Sequence, residues 1–128
     1  MFENNLFISF KKIITMIQIY HNPRCGKSRN CLAFLDDSGQ DYEIIKYLEQ
    51  PPTYNELVSL LKKLNMKPLE LVRQKEKIWI ENFKNQIITD DEIIKAMVSN
   101  PILIERPIVI KGDKAIIGRE LDKVAVFI

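Results

Sequence analysis

The chain has 128 residues, 46% of them apolar, which suits one domain with a buried core. Its 19 lysines and arginines against 17 acids leave a net charge of +2, too weak a field to draw it to nucleic acid or an anionic lipid surface. Charges interrupt every apolar run well short of the roughly 20 residues a membrane-spanning helix needs, and two cysteines without a C-x-x-C pair exclude a disulfide framework. The expected setting is the reducing cytoplasm, with both thiols free.

Residues 1–16 are expected to be an appendage to a domain over 17–128. Glu3 precedes the apolar run 6–10, and Lys11-Lys12 follow it, the reverse of a secretory leader. Met16 reads as an alternative start. Ile17-Gln18-Ile19-Tyr20 alternates apolar and polar and breaks at His21-Asn22-Pro23, which predicts a strand over 17–21 running into a turn. A helix follows, its first turn holding Cys25 to Arg29 and its end marked by Gly39. A second strand is expected over 42–48, stopped by Gln50-Pro51-Pro52.

Thr53-x-x-Glu56 and Thr89-x-x-Glu92 are capping boxes, in which hydroxyl and carboxylate each satisfy an orphan backbone N–H. The first opens a helix with Leu57, Leu60, Leu61 and Leu64 on one face; the second opens one running to Val98. Residues 68–83 between them read as less regular helix. Strands at 108–110 and 115–117 flank Gly112-Asp113, which suits a two-residue hairpin turn, and a short helix is expected from Glu120 onward. The order β-α-β, helices, β-hairpin, helix is the α/β arrangement of a thioredoxin-like fold, a mixed four-stranded sheet with an inserted helical region.

Cys25 falls where the first strand passes into a helix, so free N–H groups and the positive helix end favour its thiolate. Ser28 and Arg29 add donors in the same turn, forming a small anion cradle. Two look-alike motifs fail. Gly26-Lys27-Ser28 resembles the end of a nucleotide P-loop, but that motif needs glycine where this chain has His21. A cysteine phosphatase loop needs arginine where it has Cys31. His21, Cys25 and Cys31 supply too few ligands at no recognised spacing for a metal, so none is expected, and His21 reads as a hydrogen-bonding residue at the strand end. Cys31 lies about 9 Å farther along the helix on another face, which suits core packing, and Ser28 stands where a dithiol oxidoreductase has its second cysteine. Arg106-Pro107 immediately precedes the third strand, where a thioredoxin-like fold carries a cis-proline facing the nucleophile. Arg106 is then expected near Cys25, with Arg119 arriving from the next strand after Gly118 and Arg73 closing over them from the helical insertion.

Over residues 17–128 the chain resembles the glutaredoxin-linked arsenate reductases, the type with one catalytic cysteine. The resemblance rests on His21-Asn22-Pro23-Arg24-Cys25-Gly26-Lys27-Ser28-Arg29-Asn30, on Leu71-Val72-Arg73, on Glu105-Arg106-Pro107-Ile108-Val109 and on Arg119. Asn22-Pro23-Arg24-Cys25 and Arg73-Gln74-Lys75-Glu76 are similar to a housekeeping branch whose substrate is open. The resemblance implies Cys25 as nucleophile, Arg73, Arg106 and Arg119 as oxyanion binders, and His21, Ser28, Arg29 and Pro107 in support. It further implies glutathione as co-substrate, glutaredoxin as partner and no bound cofactor. The alternative from another class is a non-enzymatic regulator of the same fold that binds RNA polymerase. Members of that group usually carry C-x-x-C, which Ser28 removes here.

Overall fold

A computed structural model describes residues 16–128; the expectation for the leader over 1–15 lies outside the described residues. Strand β1 (Ile17–Tyr20) leads through the loop 21–25 into helix α1 (Gly26–Asp37), and strand β2 (Tyr42–Ile45) follows. Helices α2 (Tyr54–Leu64), α3 (Pro68–Leu71), α4 (Lys77–Asn82) and α5 (Asp90–Ser99) form the insertion, closed by a 3-10 turn over Pro101–Leu103. Strands β3 (Ile108–Lys111) and β4 (Lys114–Ile117) make the hairpin, and helix α6 (Leu121–Phe127) ends the chain. The sheet order is β2-β1-β3-β4, with β1 parallel to β2 and antiparallel to β3, and β3 antiparallel to β4. This is the expected thioredoxin-like arrangement.

The period of two along each strand divides the core between the faces of the sheet. Ile17, Ile19 and Val109 meet Cys31 and Leu35 of α1 and Val124 of α6 on one side. Tyr20, Ile108, Ile110 and Ala115 meet Leu57, Leu60, Ile93, Met97 and other apolar residues of the insertion on the other. Both capping boxes form, Thr53 with Glu56 and Thr89 with Glu92. Gly39 takes the left-handed conformation (φ 74°) just beyond α1, and Gly112 (φ 63°) turns the hairpin.

Several boundaries differ from the sequence reading; strand β1 ends at Tyr20 and α5 at Ser99, each one residue from the expected end. Strand β2 stops at Ile45 because the N–H groups of Glu49 and Gln50 both turn back to the Lys46 carbonyl, and Tyr47 swings into the interior. The stretch 68–83 is two short helices, because the chain between them is drawn out flat: Val72 bridges Ile104, the Arg73 N–H donates to the Leu103 carbonyl at 2.7 Å, and the Glu105 N–H donates to the Leu71 carbonyl at 2.9 Å. The hairpin strands reach Lys111 and Lys114, one residue closer to the turn than expected on each side.

Register explains the location of the site. Tyr20 pairs with Ile45 of β2 and with Ile108 of β3, and Ile108 pairs with Ile117 of β4. The segments that leave or enter these positions, 21–25, 46–50, 105–107 and 118–119, therefore emerge together at one end of the sheet.

Candidate active site

Cys25 is the N-cap of α1, in extended conformation, and its side chain makes no well-formed capping hydrogen bond. The loop beneath it is tied by buried polar contacts. The Ser28 hydroxyl shares a 2.7 Å hydrogen bond with His21 Nδ1 and accepts the Asn22 N–H at 3.0 Å, while Asn22 Oδ1 accepts the Arg24 N–H at 3.0 Å. His21, Asn22 and Ser28 are all buried. These bonds satisfy groups whose burial would otherwise be costly, and they fix the loop that presents Cys25. His21 is thus the hydrogen-bonding strand-end residue expected; burial first, then the positive charges of Lys46 and Arg29, hold its ring below its ordinary pKa against the opposing contact with Ser28.

The anion cradle differs in one respect from the sequence reading. The Ser28 hydroxyl points into the loop, and the Arg29 guanidinium turns back to the Pro23 carbonyl at 3.0 Å. The groups that reach the sulfur are the backbone N–H groups of Lys27 and Ser28 and the side chain of Arg106. Burial pushes the Cys25 thiol up, but the Ser28 N–H, the Arg106 guanidinium and the Lys27 N–H together outweigh it and hold the thiol below its ordinary range. Cys31, fully enclosed in the core with no such partners, is pushed up to about 11 by burial.

The three arginines come from three separate segments and share two carboxylates. Arg73, on the flat stretch between α3 and α4, lies 3.3 Å from Glu76 and 3.9 Å from Glu105. Arg106, joined to Pro107 by a cis peptide bond, lies 4.0 Å from Glu76, with its side chain only 13% exposed. Arg119, more open at 41%, lies 3.6 Å from Glu105 and donates to the Arg106 carbonyl at 3.1 Å. Buried Arg106 Nε and one of its terminal nitrogens, and Arg73 Nε, make no well-formed hydrogen bond. Guanidinium donors with hydrogen-bonding capacity to spare beside a thiol can receive a tetrahedral anion.

Gly118, which precedes Arg119, serves close packing rather than backbone freedom. A Cβ there would stand 2.9 Å from Cys31 Sγ, 3.1 Å from Val109 Cγ2 and 3.3 Å from Pro107 Cγ. Its N–H donates to the Pro107 carbonyl at 2.8 Å, which joins the arginine-bearing segments.

Sequence reasoning passed over three residues here. Glu76 and Glu105 stood inside quoted motifs without a role, although an acid three positions after Arg73 and another beside Arg106 are a readable pairing signal. Tyr47, assigned to a strand, is fully buried, and its electrostatic neighbours are Arg106, Arg73 and Cys25. No local signal in the sequence marks it. Among the described residues no helix is long and apolar enough to cross a membrane.

Residues 20–127 match the ArsC family. The chain is 46% identical over 110 residues to the uncharacterized protein YfgD of Escherichia coli, a match spanning 84% of this chain and 92% of the relative. It is 44% identical over 103 residues to an arsenate reductase of Haemophilus influenzae, spanning 79% and 89% of the two chains. A solved arsenate reductase from Vibrio cholerae superposes with a TM-score of 0.84 at 38% identity, covering 89% of this chain and 98% of that one. With the loop that bears Cys25 and all three arginines within the matched span, the chain belongs to the ArsC family.

Proposed function

We propose that the protein is an arsenate reductase-like enzyme that reduces arsenate, or a similar tetrahedral oxyanion, through Cys25. The observation that carries the reading is the meeting of a thiol held below its ordinary pKa with a buried arginine that faces it and two further arginines on neighbouring segments. A thiolate and a dianion repel one another, and guanidinium groups offset that repulsion while stabilising charge on the departing oxygen. In the first step the Cys25 sulfur forms a bond to arsenic and one As–O bond breaks, its oxygen taking up protons to leave as water. Arsenic keeps its oxidation state in this adduct. Glutathione then attacks it, and reduction is completed by thiol exchange in which glutaredoxin takes part. Overall two glutathione thiols are oxidised to one disulfide, arsenate becomes arsenite, one water is released, and Cys25 returns as a thiol. Cys31, enclosed and unpaired, is not needed. Glutathione is a co-substrate in this scheme, no bound cofactor takes part, and the reducing cytoplasm supplies the thiols.

The test is arsenate-dependent oxidation of reduced nicotinamide in a system coupled through glutathione, glutaredoxin and glutathione reductase. Turnover that disappears in Cys25→Ser is the expected result. Absence of turnover together with stable binding to RNA polymerase subunits would overturn it in favour of the regulator.

A further inference from the structure

Tyr47 has no exposed surface, yet its hydroxyl makes no well-formed hydrogen bond. A buried polar group in that state is unfavourable and calls for an explanation. The placement is rigid. The ring stacks on Tyr20, with centroids 6.0 Å apart and planes 17° from parallel, and the turn that carries it is closed by the Tyr47 N–H to the Ile45 carbonyl and by two N–H groups to the Lys46 carbonyl. Tyr47 lies in the segment 46–50, at the sheet end where 21–25 and 105–107 also emerge; its electrostatic neighbours are Arg106, Arg73 and Cys25, and buried nitrogens of both arginines likewise lack a well-formed hydrogen bond, with Arg73 Nε 3.3 Å from the Glu76 carboxylate.

We propose that the Tyr47 hydroxyl donates a hydrogen bond to the tetrahedral oxyanion held by Arg73 and Arg106, completing a site in which a buried phenol and buried guanidinium nitrogens have hydrogen-bonding capacity to spare. This rests on the oxyanion reading above. Burial pushes the phenol up to about 12, so it keeps its proton at any physiological pH and presents a donor whatever the charge state of the anion. A neutral donor complements the arginines. It recognises an oxygen without adding positive charge to a cluster that already holds three guanidinium groups against two carboxylates.

The test compares the full-length protein with Tyr47→Phe, which keeps the ring and its stacking on Tyr20. Inorganic phosphate, a tetrahedral anion that thiols do not reduce, is the calorimetric probe, and arsenate is the substrate for turnover. Without anion, Tyr47→Phe is expected to melt at the same temperature as the parent or higher, because it loses an unsatisfied group. With phosphate it is expected to bind about tenfold to a hundredfold more weakly, as for loss of one hydrogen bond to a charged group, and kcat/KM for arsenate is expected to fall alongside. Unchanged phosphate affinity would overturn the proposal. So would a lower melting temperature without anion, which would show a hydroxyl bonded within the free protein. A parent protein that binds neither phosphate nor arsenate would instead overturn the oxyanion reading on which the proposal stands.

Discussion

Replacing Arg106 is the sharpest probe of the cluster, because the three arginines differ in their access to water. Their side chains are 13%, 24% and 41% exposed for Arg106, Arg73 and Arg119, and a charge interaction weakens as solvent screens it. One hydrogen bond to a charged group contributes about 1.5–3 kcal/mol, and a guanidinium fork can supply two. Arg106→Lys keeps the charge and one donor, so phosphate affinity should fall by about tenfold to a hundredfold. Arg106→Ala loses both donors and the least screened charge, and should fall further still. Arg119→Ala should cost less than either. The surroundings survive the change: Glu76 retains Arg73 at 3.3 Å, and the backbone groups of Arg106 that meet Glu105 and Arg119 are untouched. Calorimetric titration of the parent and these variants with phosphate measures the ranking, and far-ultraviolet circular dichroism checks the fold. Arg106→Ala should also raise the Cys25 midpoint, since burial pushes the thiol up and the Arg106 contact opposes it. Equal affinity in Arg106→Ala and the parent, or a larger loss in Arg119→Ala, would refute the reasoning.

The two cysteines should separate cleanly under alkylation. Thiolate is the reacting form, so each rate climbs as pH rises through that thiol's pKa; Cys25 should reach its midpoint below the ordinary thiol value while Cys31, pushed up to about 11 and enclosed, stays unmodified until strongly alkaline pH. Peptide mass spectrometry after iodoacetamide treatment reads both, and a Cys31 that reacts as fast as Cys25 would end the single-cysteine scheme. His21 sets a pH limit on stability. Its ring is held below the ordinary value of 6.5, so its contribution is complete above that pH and is lost as pH falls through the lowered folded value. Urea unfolding of the parent and His21→Gln across about pH 5–8 should show that slope in the parent alone, and parallel curves would remove His21 as its source.

Features set by a few adjacent residues are legible in the sequence itself. The capping boxes at Thr53 and Thr89, the left-handed Gly39 and the position of Cys25 at the start of a helix are of this kind, and each is present in the fold. The cis bond before Pro107 follows from the order of the elements and is present. What the sequence hides depends on contacts between distant segments. Residues 43–47 have the composition of a continuous strand, but the last two turn away because Tyr47 can bury its ring against Tyr20. The break between α3 and α4 is imposed by Leu103, Ile104 and Glu105, some thirty positions away. Likewise the fully enclosed Ser28 hydroxyl reads as a cradle donor until His21 is seen at its side.

The contact between Gly118 and Cys31 bears on how this sequence can drift. With 2.9 Å between a would-be Cβ and the Cys31 sulfur, an alanine at 118 is blocked while a cysteine fills position 31, and a residue larger than cysteine at 31 has no space while the chain passes so close at 118. Shrinking position 31 to alanine would relieve only part of the conflict, because Val109 and Pro107 crowd the same spot. The two positions therefore constrain each other's history, and related chains should accept changes at one of them only in step with changes at the other. A thiol outside the proposed chemistry can thus be retained for its volume, since it sets how closely the segment that follows β4 can approach the helix that Cys25 caps.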